Sequence, residues 1–372
     1  MTAPQERKYW IAFNRIPGIG RVRYSLLLNH FGSLERAWLA DGHDLKAAGL
    51  EPRLVQQIVA GRQQIDPDAE TERLSRHGVQ AITWDDEAYP ARLKEIYDPP
   101  PLLYVRGRLT EADEWAVAVV GTRRPTPYGR QAAEELAFGL ASNRICVVSG
   151  LARGIDAVAH RAALAAGGRT VAVMACGLDI VYPPEHVKLA AEIIERGALV
   201  SDYPLGTQPR GDYFPRRNRI MSGLSLGVLV VEGDLKSGAM ITAGLALEQN
   251  RDVFAVPGSV FSAQSRGANS LIRDGAKLVQ RVEDILEELN LTMVPQQMEM
   301  KEIIPATDTE AALLRHISKE PVHIDEMCRQ SGLPAATVSS VLAMLELKGL
   351  VRQMQPMAYV RAREARAAYG GR

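Results

Sequence analysis

The chain has 372 residues, enough for two or three domains, and 46% of them are hydrophobic, enough to bury a substantial core. Its 44 Lys and Arg balance its 44 Asp and Glu, which excludes a globally basic footprint. A polyanion must then be held by a local cluster of cations. Three cysteines, Cys146, Cys176 and Cys328, are far apart and odd in number, the first two in apolar runs that read as strands. No cysteine or histidine shows metal-ligand spacing, so neither a disulfide framework nor a metal is expected. No apolar run reaches the length of a membrane span, and "MTAPQERKYW" lacks the core of a signal peptide. The expectation is a cytoplasmic protein without membrane association.

Residues 6 to about 80 carry helical spacing, broken at Pro17-Gly18-Ile19-Gly20. An apolar-Pro-Gly-apolar-Gly turn between short helices is the helix-hairpin-helix pattern, whose glycines let backbone N–H groups approach a phosphate. The same turn also serves as a plain helical hairpin. Residues 84–110 form a proline-rich connection ending in a short strand, Leu102 to Val105.

A new rhythm then begins. Apolar runs recur at 115–120, 145–149, 170–175, 198–201, 227–231, 252–256 and 277–279. Helical patterns separate them at 129–141, 155–166, 185–196 and 239–249. Strands apolar on both faces, alternating with helices, predict an α/β domain with a doubly wound, mostly parallel, Rossmann-like sheet. After a linker at 291–307, the order helix, helix, Ser331-Gly332 turn, helix, hairpin predicts a winged helix. Its last helix, Pro334 to Lys348, carries only Glu346 and Lys348 as charges, which favours protein contact or domain packing over duplex reading. The expected domains are 1–83 (helical, helix-hairpin-helix or SAM-like), 84–290 (Rossmann-like), 308–365 (winged helix) and a basic tail at 366–372.

Ligands of such sheets bind outside the carboxyl ends of the strands, so the residues just after each strand are the candidates. The first exit is Gly121-Thr122-Arg123-Arg124. The second is Ser149-Gly150, with Arg153 in the turn and Gly154 opening a helix, an arrangement that suits an anion. The fifth is "EGDLKSG", with Lys236, Ser237 and Gly238 at another helix start. Neither glycine turn matches a dinucleotide or Walker fingerprint. Asp156 and His160, one helical turn apart, read as a structural pair. Eight cations fall at these exits: Arg123, Arg124, Arg153, Arg210, Arg216, Arg217, Arg219 and Lys236. Tyr213 and Phe214 lie among them, either as faces for unpaired bases or, for Phe214, as a plug beneath the loop.

Six segments together resemble the DNA-processing protein A family, also called Smf: "VVGTRRPTPYG", "VVSGLARGIDAVAHRAAL", "GLDIVYP", "FPRRNRIMSGLS", "VVEGDLKSGAMITAGLALEQNRDVFAVPG" and "GANSLIRDGAKLV". The resemblance covers about residues 85–285, and the flanking helical and winged-helix regions are similar to the family's usual additions. It implies an extended Rossmann domain that binds single-stranded DNA, shields it from nucleases and delivers it to the RecA recombinase in natural transformation. It also implies a homodimer formed through that domain, and no cofactor. On this analogy Arg123 holds a backbone phosphate. Arg217, Asn218 and Arg219 line the same pocket or brace its loop, and Phe214 offers a stacking face. His186 stands where the family often has Asn, and Pro184 where it sometimes has a basic residue.

Two other readings compete. The sheet region is also distantly similar to nucleotide phosphoribohydrolases of the lysine-decarboxylase-like group, which require a carboxylate near the glycosidic bond; Asp156, Glu232 and Glu248 are the candidates. A third reading makes the winged helix a regulator of duplex DNA, and the nearly uncharged last helix argues against it.

Overall fold

The computed structural model describes residues 4–291, 308–317, 322–347, 351–355 and 357–361. The chain divides into two compact units, Met1–Thr292 and Met293–Arg372. The expected linker, beyond Leu291, and the basic tail lie outside the described residues.

The first unit is built on a nine-stranded sheet. In chain order the strands are β1 (Val79–Thr83), β2 (Leu102–Gly107), β3 (Ala116–Val120), β4 (Cys146–Ser149), β5 (Thr170–Val173), β6 (Ala198–Ser201), β7 (Gly227–Val230), β8 (Asp252–Ala255) and β9 (Lys277–Leu278). Their spatial order is β1-β2-β6-β5-β4-β3-β7-β8-β9. β2 runs antiparallel to both of its neighbours, and every other pair from β6 to β9 is parallel. The chain winds from β3 outward to β6 and then crosses back to place β7 on the other side of β3. That reversal leaves a crevice outside the carboxyl ends of β3 and β7.

Six helices precede β1: α1 (Pro4–Asn14), α2 (Arg21–Phe31), α3 (Leu34–Leu39), α4 (Gly42–Ala47), α5 (Pro52–Arg62) and α6 (Pro67–Arg76). A short α7 (Ala91–Lys94) follows β1. The sheet carries α8 (Pro127–Ser142), α9 (Ile155–Ala165), α10 (Val187–Arg196), α11 (Tyr213–Leu224), α12 (Gly238–Glu248), α13 (Arg266–Arg273) and α14 (Val282–Glu288). Side chains alternate along each strand, so the sheet feeds two cores. Val171 and Val173 join Ile220, Met221 and Ala243 in one, while Ala172 joins Leu189, Ile193 and the N-terminal helices in the other. In the latter, Trp10 stacks on Tyr24 at 5.1 Å and meets Trp84 edge-on at 5.5 Å. Tyr104 of β2 donates its hydroxyl to Asn14 Oδ1 of α1 at 2.9 Å. The turn at residues 17–20 joins α1 to α2, and Gly18 there holds a φ of +90°, which favours glycine.

The second unit has the winged-helix order. Helices Asp308–Arg315, Ile324–Ser331 and Ala335–Leu347 pack around Leu313, Met327, Val338 and Leu342. Gly332 ends the second helix in the left-handed conformation, and strands Val351–Gln355 and Ala358–Arg361 form the hairpin.

The structure corrects three local expectations. β1 occupies the end of the stretch that reads as helical; Val79, Ile82 and Thr83 are β-branched and pair with β2. Cys176 lies beyond β5 rather than in it. The basic stretch after β6 is helix α11 rather than a loop. Pro215 falls in its first turn, where the missing N–H would have had no intrahelical acceptor.

Because α1 shares a core with the sheet, Trp10→Ala is expected to destabilise the sheet-bearing unit by about 3–5 kcal/mol. Urea denaturation followed by circular dichroism measures it. An unchanged midpoint would show that the N-terminal helices do not support the sheet.

Candidate nucleic-acid interface

At the crevice, β3 and β7 are tied together by one buried side chain, Glu232, just beyond β7. Its backbone carbonyl accepts from Thr122 N at 2.7 Å. Its carboxylate accepts from Thr126 N at 2.9 Å and from Thr126 Oγ1 at 2.5 Å. Thr126 in turn caps α8 by accepting from Gly129 N at 3.1 Å. A Cβ on Gly129 would lie 2.1 Å from the Glu232 carboxylate. The glycines of the first two exits serve the same close packing. A Cβ on Gly121 would strike Ile155 at 2.5 Å, and one on Gly154 (φ +80°) would strike the Thr122 carbonyl at 2.3 Å. Ile155 N donates to that carbonyl at 3.2 Å. With Gly121, Thr122 and Gly154 committed to backbone packing, Arg123 and Arg124 project to solvent, and neither has an ion-pair partner among the described residues.

Of the two roles expected for Arg217, lining the pocket or bracing its loop, the geometry fits bracing. Arg217 is buried, at 3% exposure. Its Nη1 donates to the carbonyls of Gly150 (2.9 Å) and Val173, and its Nε donates to Asn218 Oδ1 at 3.3 Å. The guanidinium therefore pins the ends of β4 and β5 to helix α11. Burial lowers its pKa to about 10, so it stays charged at neutral pH. Gly150 carries no side chain because a Cβ would fall 2.5 Å from the guanidinium. Arg219 is likewise committed, to Asp202 at 2.9 Å and Asp98 at 3.3 Å. Ser149 is buried and donates to the Val119 carbonyl at 2.7 Å. Arg217, Arg219 and Ser149 thus brace the site rather than face a ligand.

The second glycine turn holds an anion of its own. Asp156 Oδ2 accepts from Gly150 N at 3.1 Å and Ala152 N at 3.3 Å. Burial raises its carboxyl pKa, opposed by nearby Arg217 and by these amides. His160 is not Asp156's partner. Its Nδ1 bonds Thr170 Oγ1 at 2.6 Å, and burial lowers its pKa to about 3, keeping the ring neutral. His186 donates from Nδ1 to the carbonyl of Leu151, a buried residue at φ +55°. The histidine that departs from the resembled pattern therefore holds a left-handed turn.

What remains open is a cavity of about 430 Å³ lined by Arg123, Tyr182, Arg210, Phe214, Asn218 and Gly238, among others. The Arg123 guanidinium lies over the Phe214 ring at 5.2 Å. Tyr182, 38% exposed, meets the same ring at 5.7 Å. A Cβ on Gly238 would meet open space, so the N-terminus of α12 faces the cavity without obstruction. Ser237 does not cap that helix with its side chain, and its buried Oγ has no partner among the described residues. A helix start with an uncapped first turn attracts an anion. Lys236, in the preceding turn, is exposed without an ion-pair partner among the described residues. Arg153 is exposed and paired with Glu185 through Nη2 at 3.1 Å, which holds the Glu185 carboxyl down at about 2. The cavity thus gathers Arg123, Phe214, Asn218 and Gly238 of the expected residues. Arg210 and Tyr182 line it as well, the second not singled out in the sequence. Tyr182 sits in the exit after β5, and Arg210 among the eight cations; both positions carried the signal.

The family model for DNA recombination-mediator protein A matches residues 80–290, which contain every residue of this site. The chain belongs to that family. A DprA winged-helix model matches residues 300–355 as well. Protein Smf of Synechocystis is 35% identical, covering 96% of this chain and all of its own length. Protein Smf of Escherichia coli is 42% identical, over 76% of this chain and 78% of its own. Among solved structures, DNA processing protein A from Streptococcus pneumoniae superposes with a TM-score of 0.66 at 37% identity, covering 76% of this chain and 97% of that one. DNA processing protein A from Helicobacter pylori, solved for insight into its single-stranded DNA binding mode, gives 0.51 at 34% identity, covering 56% and 95%.

In this recombination-mediator protein, arginines that look alike in sequence differ in cost. Arg217→Ala orphans buried carbonyls at about 1–3 kcal/mol for each group, whereas Arg124→Ala is expected within about 0.5 kcal/mol of the parent. Urea titrations of the two variants measure the contrast, and equal stabilities would contradict the bracing role of Arg217.

Proposed function

We propose that the chain binds single-stranded DNA at the carboxyl edge of its sheet. The observation that carries this reading is the cavity at the β3–β7 crevice, where the Arg123 guanidinium, without an ion-pair partner among the described residues, covers an aromatic ring, Phe214, beside an open helix N-terminus. Guanidinium and amide donors suit backbone phosphates, while half-exposed rings suit unpaired bases, which a duplex keeps stacked on each other. The relative from Helicobacter pylori, described for its single-stranded DNA binding mode, supports the choice of strand.

We read the role as non-catalytic. The carboxylates a glycosidic mechanism would call on are spent elsewhere: Asp156 on two backbone amides and Glu232 on Thr126. Glu248 is exposed at the C-terminal end of α12, the far end from the cavity. On the family resemblance, we further propose that the protein acts in the cytoplasm in DNA recombination and natural transformation, delivering bound strands to the RecA recombinase.

Fluorescence anisotropy with oligothymidylate across a salt series tests the binding reading. Arg123→Ala is expected to lower the slope of log affinity against log salt by about 0.7. Phe214→Ala is expected to cost about 1–3 kcal/mol, or roughly 5- to 150-fold in Kd. Parental affinity in both variants, or equal affinity of the parent for duplex of the same length, would reject it.

We also propose a homodimer through the sheet-bearing unit. Helix α12 buries Ala239, Ala243 and Ala246 against the sheet and leaves Leu247 exposed at its C-terminal end, an apolar residue away from the cavity that suits a second copy. Sedimentation velocity is expected to give a dimer that Leu247→Glu converts to monomer. A parent that stays monomeric at every concentration would end this part of the proposal.

A further inference from the structure

A second group of rings stands beside the cavity. Tyr203 and Tyr213 stack at 4.4 Å with their planes 22° apart. The Arg210 guanidinium lies over the Tyr213 ring at 5.1 Å. Tyr203 and Arg210 both rest on the Tyr213 ring, which joins the three planar groups into one pile. Arg210 also lines the cavity that holds Arg123 and Phe214. Its side chain is 64% exposed, and its one ion pair, to Asp212 at 3.2 Å, is between exposed groups. Such a pair contributes little and leaves the outer guanidinium face accessible.

The pile is not explained by local polar packing. Neither tyrosine hydroxyl has a hydrogen-bond partner among the described residues, and both rings are half-buried. Arg216 follows Tyr213 by three residues in α11, which puts a second cation on the same side of that helix. Arg216 is exposed and has no ion-pair partner among the described residues. Tyr213 and Phe214 are consecutive residues of α11, so their side chains leave the helix about 100° apart. Two aromatic–guanidinium stations therefore flank one helix start: Arg123 on Phe214, and Arg210 on Tyr213 and Tyr203.

We infer that the Arg210–Tyr213–Tyr203 pile is a second base-stacking station, which takes a nucleotide next along the strand from the one at Phe214, with Arg216 neutralising its phosphate. The inference rests on reading this edge as a single-strand site. Guanidinium planes and aromatic faces both accept unstacked bases. With the station in use, the strand runs across the start of α11 and occupies more nucleotides than the Phe214 cavity alone would hold.

The test measures anisotropy of oligothymidylates from about 4 to about 16 nucleotides, a range spanning typical single-strand sites. Tyr213→Leu keeps apolar bulk under the loop and removes the π-face. It is expected to leave affinity for the shortest bound oligomer unchanged and to weaken the longer ones about fivefold or more. Arg210→Ala, which also removes a wall of the Phe214 cavity, is expected to weaken every length and the longer oligomers most. Replacing successive thymidines with abasic spacers should abolish the difference between parent and Tyr213→Leu at one register only. Parental affinity at every length, or the same loss at every length, overturns the second station while leaving the Phe214 site standing. Failure of the parent to bind any oligothymidylate overturns both. Thermal melting of Tyr213→Leu and Arg210→Ala checks that the loss is not unfolding.

Discussion

A positive charge buried under the carboxyl edge of the sheet organises the site. Arg217 is removed from water, yet its donors meet two carbonyls at the carboxyl ends of adjacent parallel strands, Gly150 just past β4 and Val173 of β5. A buried charge is tolerated only when it is paired and hydrogen-bonded in this way. The arrangement leaves space for no side chain at Gly150, draws in the carboxylate of Asp156 and fixes the start of α11. Phe214, Arg216 and Tyr213 sit where they do because the next residues of their helix are locked beneath them.

Six of the eight cations at this edge divide into two kinds. Arg217 and Arg219 hold loops to strands, and their charge is spent on carbonyls or carboxylates. Arg123, Arg124, Arg216 and Lys236 are exposed, with no ion pair among the described residues. Glu232 makes the division possible at the crevice. By binding Thr122 and Thr126 from beneath, it holds both ends of the short Arg123–Pro125 segment and turns its guanidinium groups outward. An acidic residue at the heart of the proposed anion-binding edge is thus consistent with that proposal, because Glu232 is buried.

Much of this was legible from residues alone, and the reasons for success and failure are physical. Strands such as Ala116–Val120 are apolar on both faces, and that pattern has few other readings in a parallel sheet. The exits were therefore found, and with them Arg123, Phe214 and Gly238. Sequence spacing carries no information on which arginine of "FPRRNR" turns inward. Arg216 and Arg217 are chemically identical neighbours, and only helix phase, hidden by the proline in the first turn of α11, separates them. Asp156 and His160 sit one helical turn apart, yet each found a nearer partner in the adjoining strands and turns. Tyr182 and Arg210 reach the cavity through loop paths that periodicity cannot trace.

The far border of the sheet has a different consequence. β9 contributes two residues, Lys277 and Leu278, and Lys277 is tethered to Glu288 at 2.7 Å. So brief and charged a margin gives a neighbouring molecule almost no main-chain rungs to join. This border is thereby protected from pairing with another chain into extended β-structure.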